Sequence, residues 1–170
     1  FNAASDYTLD VADFSRLANM SEAPQLREAV DLYRGLFLDG LSLADAPGFE
    51  EWMMITRERV DQQMLVALHR LVAHHRERKD YAEARRYIER QLRIEPWHEA
   101  NHRLLMRTLI AEGKRSAALH QYQICRQRLK DELGVEPTER TTALYEAIRA
   151  GRVTSERPHM GRERRSRQRS

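Results

Sequence analysis

His98-Glu99-Ala100-Asn101-His102 carries the literal spacing of a hydrolytic zinc site. On a helix, two histidines four residues apart lie one turn apart on one face. Their imidazoles can chelate zinc while the intervening glutamate acts as general base. Such a site also needs a third ligand and a substrate cleft, and no residue stands out as that ligand. The segment directly follows Pro96, where the pattern described below places the first helix of a helical pair. His102 then falls at a position that packs between helices. The match is read as coincidence, so no metal ligand, cofactor site or catalytic residue is assigned. Zinc taken up by the pair during purification would be incidental.

Other reactive side chains have plain structural readings. His74 and His75 end a long helical stretch, where cations are favoured and solvent is near. A pH-sensing role for them has nothing further to support it. Cys125 reads as a small buried residue. Tyr33, Tyr81, Tyr87, Tyr122 and Tyr145 have helical spacing, which points to packing rather than base stacking. Trp52 and Trp97 each stand near a helix start and are the candidate partner anchors, the alternative being that they staple a turn. No Gly-rich phosphate loop and no Ser/His/Asp or Cys/His set occurs in a context for nucleophilic catalysis.

The basic pI of about 9.2 invites a nucleic-acid reading, so its origin matters. Residues 152–170 hold seven arginines and two glutamates, a net +5, against +3 for the whole chain. Residues 1–151 are therefore slightly acidic, at −2. Within 76–93, Arg76, Arg78, Arg85, Arg86, Arg90 and Arg93 alternate with Glu77, Asp80, Glu83 and Glu89, as expected of a solvated helix face with i,i+4 pairs. A phosphate-tracking surface would carry fewer acids. Residues 151–170 form a basic tail with almost no apolar content, and their composition predicts disorder. The tail is the better nucleic-acid candidate, with a linker to a further domain as an equal reading.

These groups need helices to position them. Glycine and proline are scarce, at 7 and 5 residues, which disfavours a turn-rich β fold. The 41% hydrophobic and 32% charged composition suits helices with long solvated faces. No apolar run approaches the ~20 residues that span a bilayer, so no membrane partner is expected. The lone Cys125 cannot form an internal disulfide, which favours a reducing, cytoplasmic setting. Phe1 in place of a starting methionine suggests a piece of something longer.

Residues 1–9 read as a short extended stub with a strand at 7–9. Helical spacing begins at Asp10 with Val11, Phe14, Leu17 and Ala18. Ser21 and Pro24 mark a turn into a second helix bearing Leu26, Ala29, Val30, Tyr33 and Leu36 or Phe37. Gly35, Gly40, Pro47 and Gly48 predict a loop. A long helix follows from near Phe49 past Leu71, with Trp52, Met53, Ile55, Val60, Met64, Leu65, Leu68 and Leu71 as its apolar positions.

The chain then repeats itself at an offset of 34 residues, pairing Leu71 with Leu105, Val72 with Met106, Ala84 with Ala118 and Ile88 with Tyr122. Each unit is predicted as helix, tight turn, helix, pairing 65–78 with 81–94 and 97–112 with 115–132. The small Ala84 and Ala118 let paired helices approach closely, and Leu71, Leu105, Ile88 and Tyr122 fill the groove between them. Asp80 with Glu83 reads as a capping box. Pro96 suits a first helical turn, and Gly113 and Gly134 suit positions just past helix ends. A final helix over about 138–149, with Leu144, Tyr145 and Ile148, caps the stack. The fold class is all-α, a tetratricopeptide-like helical repeat array, or α-α superhelix; the second unit has Lys130 where that pattern has proline.

Several stretches together are more specific than a helical repeat. They are Tyr33-Arg34-Gly35 with Phe37-Leu38 and Gly40-Leu41, Arg57-Glu58-Arg59, Asn101-His102-Arg103-Leu104-Leu105-Met106, Gly113-Lys114-Arg115, Ala118-Leu119 with Tyr122 and Leu129, and Asp131-Glu132-Leu133-Gly134-Val135-Glu136-Pro137 followed by Thr141, Leu144-Tyr145 and Ile148-Arg149. Over residues 10–150 the chain resembles the bacterial transcriptional activator domain of SARP-type antibiotic regulators. The Glu-Leu-Gly-Val-Glu-Pro run is the most specific part.

The resemblance implies a non-enzymatic regulatory module that supports dimerisation, positions a DNA-binding domain or transmits a signal. Its expected partners are a second copy of the chain, the attached DNA-binding domain or RNA polymerase. DNA would be reached only through an upstream winged-helix domain, whose last strand resembles Tyr7-Thr8-Leu9-Asp10. On this reading residues 1–9 end that domain or form a linker, 10–150 are the activator domain and 151–170 are the tail. The alternative is a stand-alone helical-repeat adaptor unrelated to transcription, distinguished by what lies upstream of Phe1.

Overall fold

The computed structural model describes residues 10–33 and 47–153. The expected strand at 7–9, positions Leu36 and Phe37, the loop glycines Gly35 and Gly40, and the tail from Thr154 lie outside those residues. The described residues form seven helices and no strand: α1 Asp10–Ala18, α2 Ala23–Leu32, α3 Pro47–Glu77, α4 Tyr81–Ile94, α5 Glu99–Ala111, α6 Arg115–Leu133 and α7 Glu139–Arg149. Each helix packs on its neighbours in chain order, so the molecule is an all-helical repeat array.

The predicted loop at Pro47 and Gly48 is instead the first turn of α3. Proline is tolerated there because the first N–H groups of a helix have no internal partner. Pro96 departs from expectation in the other sense. It lies in the turn before α5, which starts three residues later at Glu99.

The turns between paired helices follow the repeat. Lys79 (φ 58°) and Gly113 (φ 77°), 34 residues apart, both take the left-handed conformation that reverses the chain. Asp80 caps α4 by accepting from the Glu83 N–H at 3.4 Å. Only half of the predicted capping box forms, because the Asp80 N–H bonds to the His75 carbonyl and Glu83 pairs with Arg86.

Two apolar cores run through the array. In the first, Phe14, Leu17, Leu26 and Val30 from α1 and α2 pack on Val60, Met64, Leu68 and Leu71 of α3. In the second, Val72 and Ile88 meet Leu105, Met106, Ala118, Leu144 and Ile148. Burial of each Leu or Ile contributes about 1.5–3 kcal/mol. Leu71 and Leu105, equivalent by the repeat, thus sit in different cores. Ala84 and Ala118 have no solvent exposure. Tyr122 packs at the edge of the second core, where its repeat equivalent Ile88 is fully buried. Tyr122 is half-buried and stacks on Tyr145 of α7 with ring centroids 4.2 Å apart.

Candidate functional site

The H-E-x-x-H segment is built into the scaffold. His98 is the N-cap of α5, with non-helical backbone and an exposed side chain. His102 lies in the helix and is 2% exposed. A carbonyl can only accept, so the His102 Nε2–H donates to the Pro96 oxygen at 2.8 Å. Nδ1 is then the acceptor for the Gln121 Nε2–H at 2.7 Å. Both ring nitrogens are used, which leaves no lone pair for a metal. Burial depresses the pKa of this neutral imidazole, against the opposing pull of the Pro96 contact and Glu99.

Glu99 is engaged by the start of α7. Its Oε2 accepts from the Thr138 N–H at 3.0 Å, the Thr138 hydroxyl at 2.8 Å and the Thr141 hydroxyl, with Arg103 at 3.7 Å. Burial alone would raise its pKa, but the hydrogen bonds from Thr141 and Thr138 and the Arg103 charge outweigh it, and the net shift is downward. The would-be general base is therefore the latch that holds α7 on α5.

Two other residues depart from their expected places. His75 is not at a solvated helix end. It is buried, with Nδ1 2.9 Å from Asp80 Oδ2 and its ring 5.5 Å from that of Tyr87. Arg90 does not belong to a fully solvated face. It donates to the Val30 carbonyl at 2.6 Å and so ties α4 to the end of α2. The rest of that arginine run is laced as expected, with Arg85 on Glu89 and Glu112 and Arg86 on Glu83. Cys125 is fully buried, which pushes its thiol up to about 12. Tyr33, Tyr81, Tyr87, Tyr122 and Tyr145 are all half-buried between helices.

Large apolar side chains also remain at the surface. Trp52 (49% exposed), Ile55 (60%) and Val66 fall at helical spacing along one side of α3. Trp97 is also exposed, in the turn before α5. Farther along the same side of α3, a groove of about 610 Å³ opens toward α5. Leu65, Val66, His69 and Ala73 form one wall, Asn101 stands on the other, and Gln91 of α4 forms the floor.

Residues 9–149 match the family model of the bacterial transcriptional activator domain. The chain belongs to that family. No curated protein gave a significant match. The family is one of transcription regulators rather than enzymes. In this activator domain the Glu-Leu-Gly-Val-Glu-Pro run is the joint between α6 and α7. Gly134 (φ 70°) ends α6 in the left-handed conformation, and Val135 returns its N–H to the Leu129 carbonyl. Glu136 reaches back to Arg126 at 2.6 Å. The run that identifies the activator domain is thus a folding device that seats its last helix.

Sequence reasoning missed Gln91 and Asn101, both buried polar residues at the groove. Each sits at a helix position where the apolar pattern predicts core, so periodicity registers only a gap. The one available signal was a polar residue inside an otherwise apolar stripe.

Proposed function

We propose that this activator domain is the regulatory, protein-binding half of a cytoplasmic, DNA-binding transcription activator. It mediates dimerisation, positions the DNA-binding domain or contacts RNA polymerase, and DNA is read by a separate winged-helix domain. The observation that carries this reading is the exposed apolar side of α3, where Trp52, Ile55 and Val66 stand at helical spacing. Such side chains act as anchors when a partner desolvates them. The tetratricopeptide-like stacking of helix pairs and the slightly acidic body fit a protein-docking role better than a phosphate-tracking one. Trp97 is a second anchor of the same kind.

The test uses the whole regulator on its own promoter. Trp52→Ala combined with Ile55→Ser should cut activation at least about tenfold, because loss of a central aromatic anchor costs about 2 kcal/mol or more. DNA binding and the helical fold should be retained, since neither side chain belongs to a buried core. Undiminished activation by a folded double variant would refute the reading.

A further inference from the structure

We infer that the groove between α3 and α5 binds a small neutral lactam: an apolar body carrying a cis-amide edge, its N–H beside its C=O. This goes beyond the docking role of the exposed side of α3 and does not depend on it.

Helices α3 and α5 both pack on α4, and a groove of about 610 Å³ lies between them. That volume falls within the ~300–1,000 Å³ range of small-ligand sites. Leu65, Val66 and Ala73 give the groove an apolar wall. The two fully ionised side chains in its lining, Arg70 and Glu95, are opposite in sign. Arg70 is also turned to the Met20 carbonyl at 2.9 Å. The lining therefore favours neither a cation nor an anion, and selection falls to its neutral polar groups.

Two buried amides stand at the groove, and they differ in reach. Gln91 donates through Nε2 to His69 Nδ1 at 3.3 Å, and its oxygen is sealed from solvent. Asn101 is 3% exposed and lines the opposite wall. No hydrogen bond among the described residues engages its side-chain amide, yet neither of its amide atoms is sealed as the Gln91 oxygen is. A polar side chain packed this deeply has its partner within the fold in the great majority of cases. For Asn101 the groove is where a partner can stand.

The geometry of that partner follows from the amide itself. Asparagine presents a donor, Nδ2, beside an acceptor, Oδ1. Two parallel hydrogen bonds form with a ligand edge that offers an acceptor beside a donor, the pairing asparagine makes with adenine. A lactam ring holds its amide cis and so presents such an edge. A trans peptide unit points its N–H and C=O in opposite directions and satisfies one of the two atoms only. An N-alkylated lactam has lost the donor and leaves the Asn101 oxygen unpaired, which a site built for hydrogen bonding rejects.

The experiment titrates the 170-residue chain with a phenyl-substituted pyrrolidinone, with its N-methyl derivative and with the linear amide N-phenethylacetamide, following backbone amide NMR shifts. A fragment of this size binds with a Kd on the order of 1 mM. The lactam should give saturable shifts confined to the amides around Val66, His69 and Asn101. The N-methyl derivative and the linear amide should bind at least about tenfold more weakly. Asn101→Leu, which keeps the bulk and removes both hydrogen-bonding atoms, should weaken lactam binding by a similar factor while the melting temperature is held or raised. Val66→Trp should block the groove in a chain that still folds, because Val66 is exposed. The proposal is overturned if the lactam gives no saturable shift in the wild type, if the shifts fall elsewhere, if either control compound binds equally well, or if either folded variant binds as the wild type does.

Discussion

At His102, hydrogen bonding decides what a motif can do. Its two nitrogens are committed to Pro96 and Gln121, so replacement by leucine leaves a carbonyl and an amide without partners. The expected loss is about 1–3 kcal/mol of unfolding free energy at neutral pH, measured by urea denaturation. EDTA should shift the melting temperature by less than about 1 °C, because both His102 nitrogens are already hydrogen-bonded within the chain. His102 also sets a pH dependence. Burial places its folded pKa below the ordinary 6.5. Between the two values the unfolded chain binds more protons, so stability rises with pH there. The contribution is whole above pH 6.5 and is lost as pH falls below it. The latch at Glu99 acts in a lower window, since a depressed carboxyl pKa gives stability above the ordinary 4.5 that fades as pH drops through the folded value. Unfolding curves between pH 8 and pH 5 should show a loss that is smaller in His102→Leu than in the wild type, the remainder coming from His74, whose pKa is also lowered by burial.

Between helices, the repeat controls distance through small side chains and turns. Ala84 and Ala118 are fully buried where paired helices meet. Enlarging either to leucine should cost about 1–3 kcal/mol by overpacking, or roughly 2–12 °C in melting temperature for a chain of this size. Gly113 lies at φ 77° with open space around the position of a Cβ. Gly113→Ala therefore meets backbone strain alone and should lower stability by about 1 kcal/mol. Its repeat equivalent, Lys79, already bears that strain. The cap helix α7 depends on a polar latch as well as on Leu144 and Ile148. Glu99→Ala should raise amide hydrogen exchange across α7 well before the rest of the array opens.

Across the molecule, net charge is unevenly distributed along the chain. The body is slightly acidic, and the net positive charge lies in residues 152–170. Residues 1–151 should give no sequence-specific DNA shift at moderate salt. Any retardation by the 170-residue chain should vanish as salt rises, because arginines without base readout bind through counterion release. A specific, salt-resistant shift by residues 1–151 would place a DNA-reading surface in the helical body and contradict the proposed division of labour.

The helix order, the 34-residue period and the fully buried alanines were legible because apolar spacing and small residues report directly on helix faces. Family membership was legible in the α6–α7 joint, where a glycine, a proline and a glutamate serve one turn geometry. The fates of His75, Arg90, Glu99 and Gln91 were not legible. Each is a polar residue whose role depends on which carbonyl, carboxylate or ring a distant helix brings within about 3 Å, and linear spacing does not encode that. Only the tertiary structure brought α7 onto α5, because Thr138 at the start of α7 and Thr141 within it meet Glu99 across about 40 residues of chain.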